Sequence, residues 1–237
     1  MTGKDDNLPQ TSSRSEIDAF ISKVSSTPAI KSAGDRGRLI FAMDATASRE
    51  ASWDQACQIQ GEMFKATAAL GGLDIQLCYY RGFGEFEATP WMSSSDELLR
   101  RMTRVSCRGG LTQIEKILQQ TIRQTKQRKV HALVFVGDCM EENVDRLCQL
   151  AGELGLLGVP AFMFHEGSEP VAQRAFRQIA ELSRGAYCPF DASSAAQLRD
   201  LLSAVAVYAA GGRKALKDFS ENRSDVVRLL TRQLDKD

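Results

Sequence analysis

Along the chain, compact apolar runs alternate with stretches whose apolar positions recur at helical spacing. Arg38–Met43 (RLIFAM) is one such run, closed by Asp44, and reads as a strand buried on both faces. A helical pattern follows from Ala51 to Leu70 and stops at Gly71-Gly72. Asp74–Tyr80 and Glu85–Trp91 read as two strands joined through the Arg81-Gly-Phe-Gly84 turn, with Pro90 marking the second as an edge strand. Ser94 or Ser95 opens a helix reaching Val105, with Glu97 in its first turn, and another helix runs from Thr112 to Thr125.

The second half keeps a regular beat. Strands at Val130–Val136, Val159–Phe164 and Ala186–Phe190 alternate with helices at Asn143–Leu154, Pro170–Ser183 and Ser194–Ala210. Such alternation implies right-handed crossovers and a doubly wound, mostly parallel α/β sheet covered by helices on both faces. Residues 1–35 read as a polar arm, in which Ile17, Phe20, Ile21 and Val24 predict a short amphipathic helix. Gly211-Gly212 breaks the last helix, and residues 211–237 read as a charged helical tail.

Composition narrows the class. The chain has 237 residues with 30 basic and 30 acidic side chains, so no overall field draws it to nucleic acid or an anionic membrane. Met1–Gln10 lacks the apolar core of a signal peptide, and no apolar run approaches the ~20 residues of a membrane span. A cytoplasmic protein is expected. The six cysteines are scattered without a C-x-x-C pair and read as small buried thiols; His131 and His165 make no ligand cluster with them.

The candidate chemistry sits at strand ends. Asp44-Ala-Thr46-Ala-Ser48 follows the first strand, Gly109-Gly110-Leu111-Thr112 precedes a helix, and Gly137-Asp138 follows the fourth strand. In a doubly wound sheet the C-terminal strand ends share one edge, and ligands bind where strand order reverses. If the first and fourth strands are neighbours, all three segments converge. Two carboxylates and three hydroxyls are hard oxygen donors that suit Mg²⁺, Mn²⁺ or Ca²⁺. Neutral hydroxyls would leave such an ion electrophilic and ready to take a partner's Asp or Glu. Helix capping by Asp44, Thr46, Ser48 or Thr112 is the plainer alternative.

These residues resemble the metal-ion-dependent adhesion site (MIDAS) of von Willebrand factor A (VWA) domains, closest to stand-alone bacterial members of that family. The pattern is D-x-S-x-S after the first strand, a Thr in a later loop and an Asp after the fourth strand. Here the positions are Asp44, Thr46, Ser48, Thr112 and Asp138. Thr46 stands where Ser is commoner, and Cys139 where many relatives have Gly. The resemblance covers Arg38–Ala210 and implies a Rossmann-like, six-stranded sheet with one antiparallel edge strand. It also implies bound Mg²⁺ and a protein partner whose acidic side chain completes the ion's shell. Phe83, with Phe86 beside it, and Gly110 are candidates for contact with that partner. The run Arg100, Arg101, Arg104 and Arg108 is either a solvated helix face or a steering surface for acid.

Other classes fit less well. A phosphatase with Asp44 as nucleophile normally needs a second Asp where Thr46 stands. Receiver domains need an acidic pair near the first strand. The Arg81–Gly84 turn lacks the spacing of a dinucleotide fingerprint, and no hydroxyl–His pairing supports a triad hydrolase. A metal-free scaffold using its sheet edge or terminal helices is the remaining alternative.

Overall fold

The computed structural model describes residues 36–70, 72–190 and 195–221, with Ala19 as an isolated position. The predicted N-terminal helix and the tail beyond residue 221 lie outside the described residues.

Every residue of β1 (Gly37–Asp44) is buried, because the strand pairs on both sides and is covered on both faces. β2 (Leu73–Arg81) lies parallel to it on one side. β3 (Glu85–Ala88) returns antiparallel along β2. On the other side follow β4 (Ala132–Gly137), β5 (Ala161–Glu166) and β6 (Ala186–Phe190), all parallel. The six-stranded order is β3-β2-β1-β4-β5-β6. The doubly wound, mostly parallel sheet with one antiparallel edge is therefore present, with the first and fourth strands adjacent.

Alternation along each strand divides the core in two. Leu39, Phe41 and Met43 of β1, with Ala132, Val134 and Val136 of β4, face one cluster. It is roofed by α1 (Glu50–Thr67), α2 (Ser95–Met102) and α6 (Ala195–Glu221), which pack together. Ile40, Ala42, Leu133 and Phe135 face the other. There α3 (Ile114–Gln127), α4 (Val144–Leu156) and α5 (Pro170–Leu182) form the roof.

Element ends moved where a side chain takes over a backbone bond. β3 stops at Ala88 rather than Trp91. The Leu77 N–H donates to the Thr89 hydroxyl at 3.1 Å while the Thr89 N–H still reaches the Leu77 carbonyl at 2.9 Å, and the strand register returns at Met92 with Ile75. Gln76 and Leu77 thus face Thr89, Pro90 and Trp91, one residue too many, which is a bulge. β4 starts at Ala132 because the His131 ring accepts the Arg38 N–H at 3.0 Å where a strand would continue. α2 ends at Met102 instead of Val105, and Ser94 caps it by accepting the Glu97 N–H at 3.2 Å. The predicted break at Gly211-Gly212 is present: Gly212, with φ 74° and ψ −166°, is non-helical and separates two helical stretches that together run to Glu221. All six cysteines are free; Cys78 and Cys188 are buried and the other four partly so.

Phe135 is fully buried between Tyr80, stacked at 6.4 Å, and Phe176, edge-on at 5.4 Å. Phe135→Ala should therefore cost about 3–5 kcal/mol in urea unfolding. It should also loosen the end of β4, because the ring lies under Gly137.

Candidate functional site

With Met43 opposite Val136, parallel pairing sets Asp44, the last residue of β1, beside the chain as it leaves β4. The two following loops diverge to opposite faces, which opens the crevice where strand order reverses. Asp44 is fully buried. Its Oδ1 accepts the Thr46 N–H at 2.7 Å, which folds the chain back over the strand end. A 3-10 turn, Ala47–Arg49, follows, with the Arg49 N–H on the Thr46 carbonyl at 3.0 Å. That turn aims two hydroxyls the same way: Thr46 Oγ1 and Ser48 Oγ are 3.2 Å apart. The Ser48 hydroxyl donates to Asp138 Oδ2 at 2.7 Å.

Four of the five predicted residues are thus joined by hydrogen bonds. Thr112 is bound to the same β4 loop but through another residue. Its hydroxyl accepts the Glu141 N–H at 3.0 Å, and its own N–H donates to Glu141 Oε2 at 3.3 Å. Thr112 does not cap α3. Glu142 does, reaching across from the β4 loop: its carboxylate accepts the N–H groups of Ile114 at 2.6 Å and Glu115 at 2.9 Å. Those bonds also explain why α3 starts two residues later than its sequence pattern suggests.

Asp138 is fixed from below. The His165 ring, fully buried, has Nε2 3.2 Å from the Asp138 carbonyl and Nδ1 2.9 Å from the Tyr187 hydroxyl. A carbonyl only accepts, so Nε2 carries the proton and Nδ1 accepts from Tyr187. Burial pushes the imidazole pKa below its ordinary value, consistent with a neutral ring. Cys139, where relatives often have Gly, keeps a negative φ, so the turn places no left-handed demand on it.

The donor set fits a divalent cation on an observation internal to the chain. Asp44 Oδ2 and Asp138 Oδ1 are buried and make no hydrogen bond of good geometry, although the buried Tyr80 hydroxyl, itself unmatched, lies close enough to interact with the Asp44 carboxylate. Such oxygens are expensive to leave unmatched. Burial, reinforced by Asp138 and opposed by the bonds from Thr46, raises the Asp44 pKa to about 6. A carboxylate in this position is stabilised by a proton or by a cation. Among the described residues no three His, Cys, Asp or Glu side chains cluster as metal ligands, so hydroxyls would have to supply the remaining donors.

One participant was missed from the sequence. Arg49, directly after Ser48, is 1% exposed and reaches Glu166 at the end of β5 through Nη1; Ser52 donates to the same carboxylate oxygen. Its Nε and Nη2 are buried without partners, and its charge is felt by both Asp44 and Asp138. Burial lowers its pKa from the ordinary guanidinium value. Glu166 had a readable signal, an acid at a strand's C-terminal end on the same sheet edge. Arg49 had none beyond its place in the loop.

Phe83 stands at the β2–β3 turn, 87% exposed, whereas Phe86 packs half-buried against the core. Gly110 has a packing role of its own: a Cβ there would lie 2.0 Å from the Gly82 carbonyl oxygen.

The strand order, the antiparallel edge and this crevice define the fold of VWA domains. By sequence the chain matches no family profile and no curated protein. Among solved structures it is similar to the SpRpn10 VWA domain, with TM-score 0.54 and 13% identity over 81% of this chain and 97% of that one. It also resembles proximal thread matrix protein 1 from the mussel byssus with a zinc-occupied MIDAS motif. That match has TM-score 0.56 and 12% identity, covering 75% of this chain and 48% of the other. The PilB minor pilin of Streptococcus sanguinis matches with TM-score 0.54 and 8% identity, over 75% of this chain and 62% of the pilin. The chain thus spans less than two thirds of the latter two proteins, and identities this low carry the fold alone.

Two outcomes follow from the site's geometry. A carboxyl whose folded pKa lies above its unfolded value holds its proton more tightly when folded. In metal-free protein the contribution of Asp44 is therefore full below about pH 4 and is lost as pH rises through about 6, roughly 2–3 kcal/mol in all. Asp44→Asn should flatten that part of a pH series of urea melts in EDTA. Glu142→Ala should cost about 1–2 kcal/mol by uncapping α3, read in the same assay.

Proposed function

We propose that this chain is a metal-dependent protein-binding module. Asp44, Thr46, Ser48, Thr112 and Asp138 would hold a divalent cation, with Mg²⁺ the first choice and Mn²⁺ or Ca²⁺ compatible with the same oxygen donors. Once bound, the ion would act as a Lewis acid whose open position takes a carboxylate from a partner protein. The chain's own part is to present the hydroxyls of Thr46 and Ser48 between the buried Asp44 and the partly buried Asp138, and to brace the loops that carry them.

The observation that carries this reading is the pair of unmatched oxygens, Asp44 Oδ2 and Asp138 Oδ1, at the two ends of one hydrogen-bonded chain. Charge agrees. Asp44, Asp138 and Glu166 set three carboxylates against the one guanidinium of Arg49, an imbalance that a divalent ion would neutralise. The zinc-occupied MIDAS of the mussel protein supports the reading by analogy of fold. No helix among the described residues is long and apolar enough to cross a membrane. Six free cysteines suit a reducing compartment, which supports a cytoplasmic location as part of this proposal.

The test is a thermal melt of chelator-stripped protein with and without millimolar Mg²⁺ or Mn²⁺. An ion at ~100 times its dissociation constant stabilises by about 2.7 kcal/mol, or roughly 5–10 °C for a domain of this size. Asp44→Ala and Asp138→Ala should each abolish the shift. Unshifted wild-type melts, alongside partner binding undiminished in EDTA, would overturn the reading.

A further inference from the structure

The segment between α2 and α3 runs along the rim of the crevice. The Arg108 N–H donates to the carbonyl of Ala45, the residue between Asp44 and Thr46, at 3.0 Å. The Leu111 N–H donates to the Gly82 carbonyl at 3.2 Å. From the opposite side Arg81 Nη1 donates to the Ser106 carbonyl at 2.8 Å and to its hydroxyl at 3.0 Å. Loop and hairpin turn are therefore stitched into one ledge beside the candidate ligands.

Two kinds of surface follow one another along this stretch of chain and the turn it is tied to. One is apolar: Phe83 is 87% and Leu111 51% exposed, on backbone segments joined through Gly82. The other is basic. Arg100, Arg101 and Arg104 are exposed and form no ion pair among the described residues, while Arg108 and Arg81 share the single carboxylate of Glu85. The α2 dipole accounts for cations in its last turn, Arg100 and Arg101. It does not account for Arg104 and Arg108 beyond the helix, nor for two large apolar side chains held in solvent on the loop they belong to and the hairpin turn bonded to it. Glu50 and Asp54 of α1 act electrostatically on Cys107, the residue before Arg108.

We propose that this ledge is the landing surface for an acidic segment of a partner protein that also carries a large apolar residue. The apolar side chain rests against Phe83 and Leu111, and flanking carboxylates meet Arg100, Arg101 and Arg104. Aromatic and arginine side chains are enriched at protein contacts, and a like-charged or neutral segment would leave the arginines unmatched. The proposal rests on the preceding reading in one respect only, that one further acid of the same segment reaches the ion. A nucleic acid is disfavoured: the chain has no net charge, and acids of α1 act on Cys107, next to Arg108.

The experiment uses the full chain and a displayed library of random dodecapeptides, selected in Mg²⁺ and again in EDTA. The wild type is compared with a variant carrying Arg100→Glu, Arg101→Glu and Arg104→Glu, and with Phe83→Ser. The expected result is enrichment of acidic peptides bearing an aromatic or aliphatic residue. Their binding should fall at least tenfold on the triple variant and severalfold on Phe83→Ser. An unchanged far-ultraviolet spectrum and melting temperature would show that the variants are folded. Three results would overturn the proposal: selected peptides without acidic bias, binding undiminished on the triple variant, or tighter arginine-dependent binding of a fifteen-nucleotide oligo-dT. Failure of the two readings is distinguishable. Arginine-dependent binding that persists in EDTA upholds the ledge and rejects the ion's role. Mg²⁺-dependent binding indifferent to the arginines does the reverse.

Discussion

Parallel pairing between β1 and β4 brings the two acids of the crevice together. With Met43 opposite Val136, an eight-residue buried strand delivers one carboxylate, Asp44, beside the backbone that carries another, Asp138. A shift of one residue in that ladder would turn Leu39, Phe41 and Met43 to the face now occupied by Ile40 and Ala42, disrupting both cores at once. The geometry of a polar site is thus enforced by apolar packing: the acids meet because the side chains beneath them cannot be packed another way.

Over this frame lies a second layer of constraint, electrostatic in origin. Asp44 is buried as deeply as the core residues below it, and Arg49, one turn later, is buried with it. Neither is neutralised by a simple pair. Arg49 leans toward Glu166 at the end of β5, leaving two of its nitrogens unmatched, and each site carboxylate keeps one unmatched oxygen. Unsatisfied buried groups of this kind persist where the surrounding structure over-determines them, and they concentrate at functional sites.

Much of this was legible in the chain. The apolar run ending at Asp44, the hydroxyls at alternate positions after it and the acid after the fourth strand are local signals. Strand–helix alternation implied the doubly wound sheet, while the adjacency of β1 and β4 that joins them was a condition the structure supplied. What was not legible depended on distance along the chain. Arg49 answers to Glu166, 117 residues away, and no periodicity announces that pairing. Glu142 caps a helix whose first residue lies 28 positions earlier in the chain, a bond that no local capping pattern announces. The bulge in β3 likewise turned on one hydroxyl, Thr89, substituting for a backbone carbonyl, a choice that strand propensity does not encode.

The bonds made by Glu141 and Glu142 bear on timing. Both carboxylates lie close to the crevice, yet each is engaged with backbone N–H groups and joins the α3 loop to the β4 loop without help from any ion. Loops tied in this way would hold their shape whether the crevice is filled or empty. An ion arriving there would have little folding to induce, so its residence and exchange would be governed by its own reluctance to shed water, which is greater for Mg²⁺ than for Ca²⁺. The response time of the module would then be a property of the ion rather than of the protein.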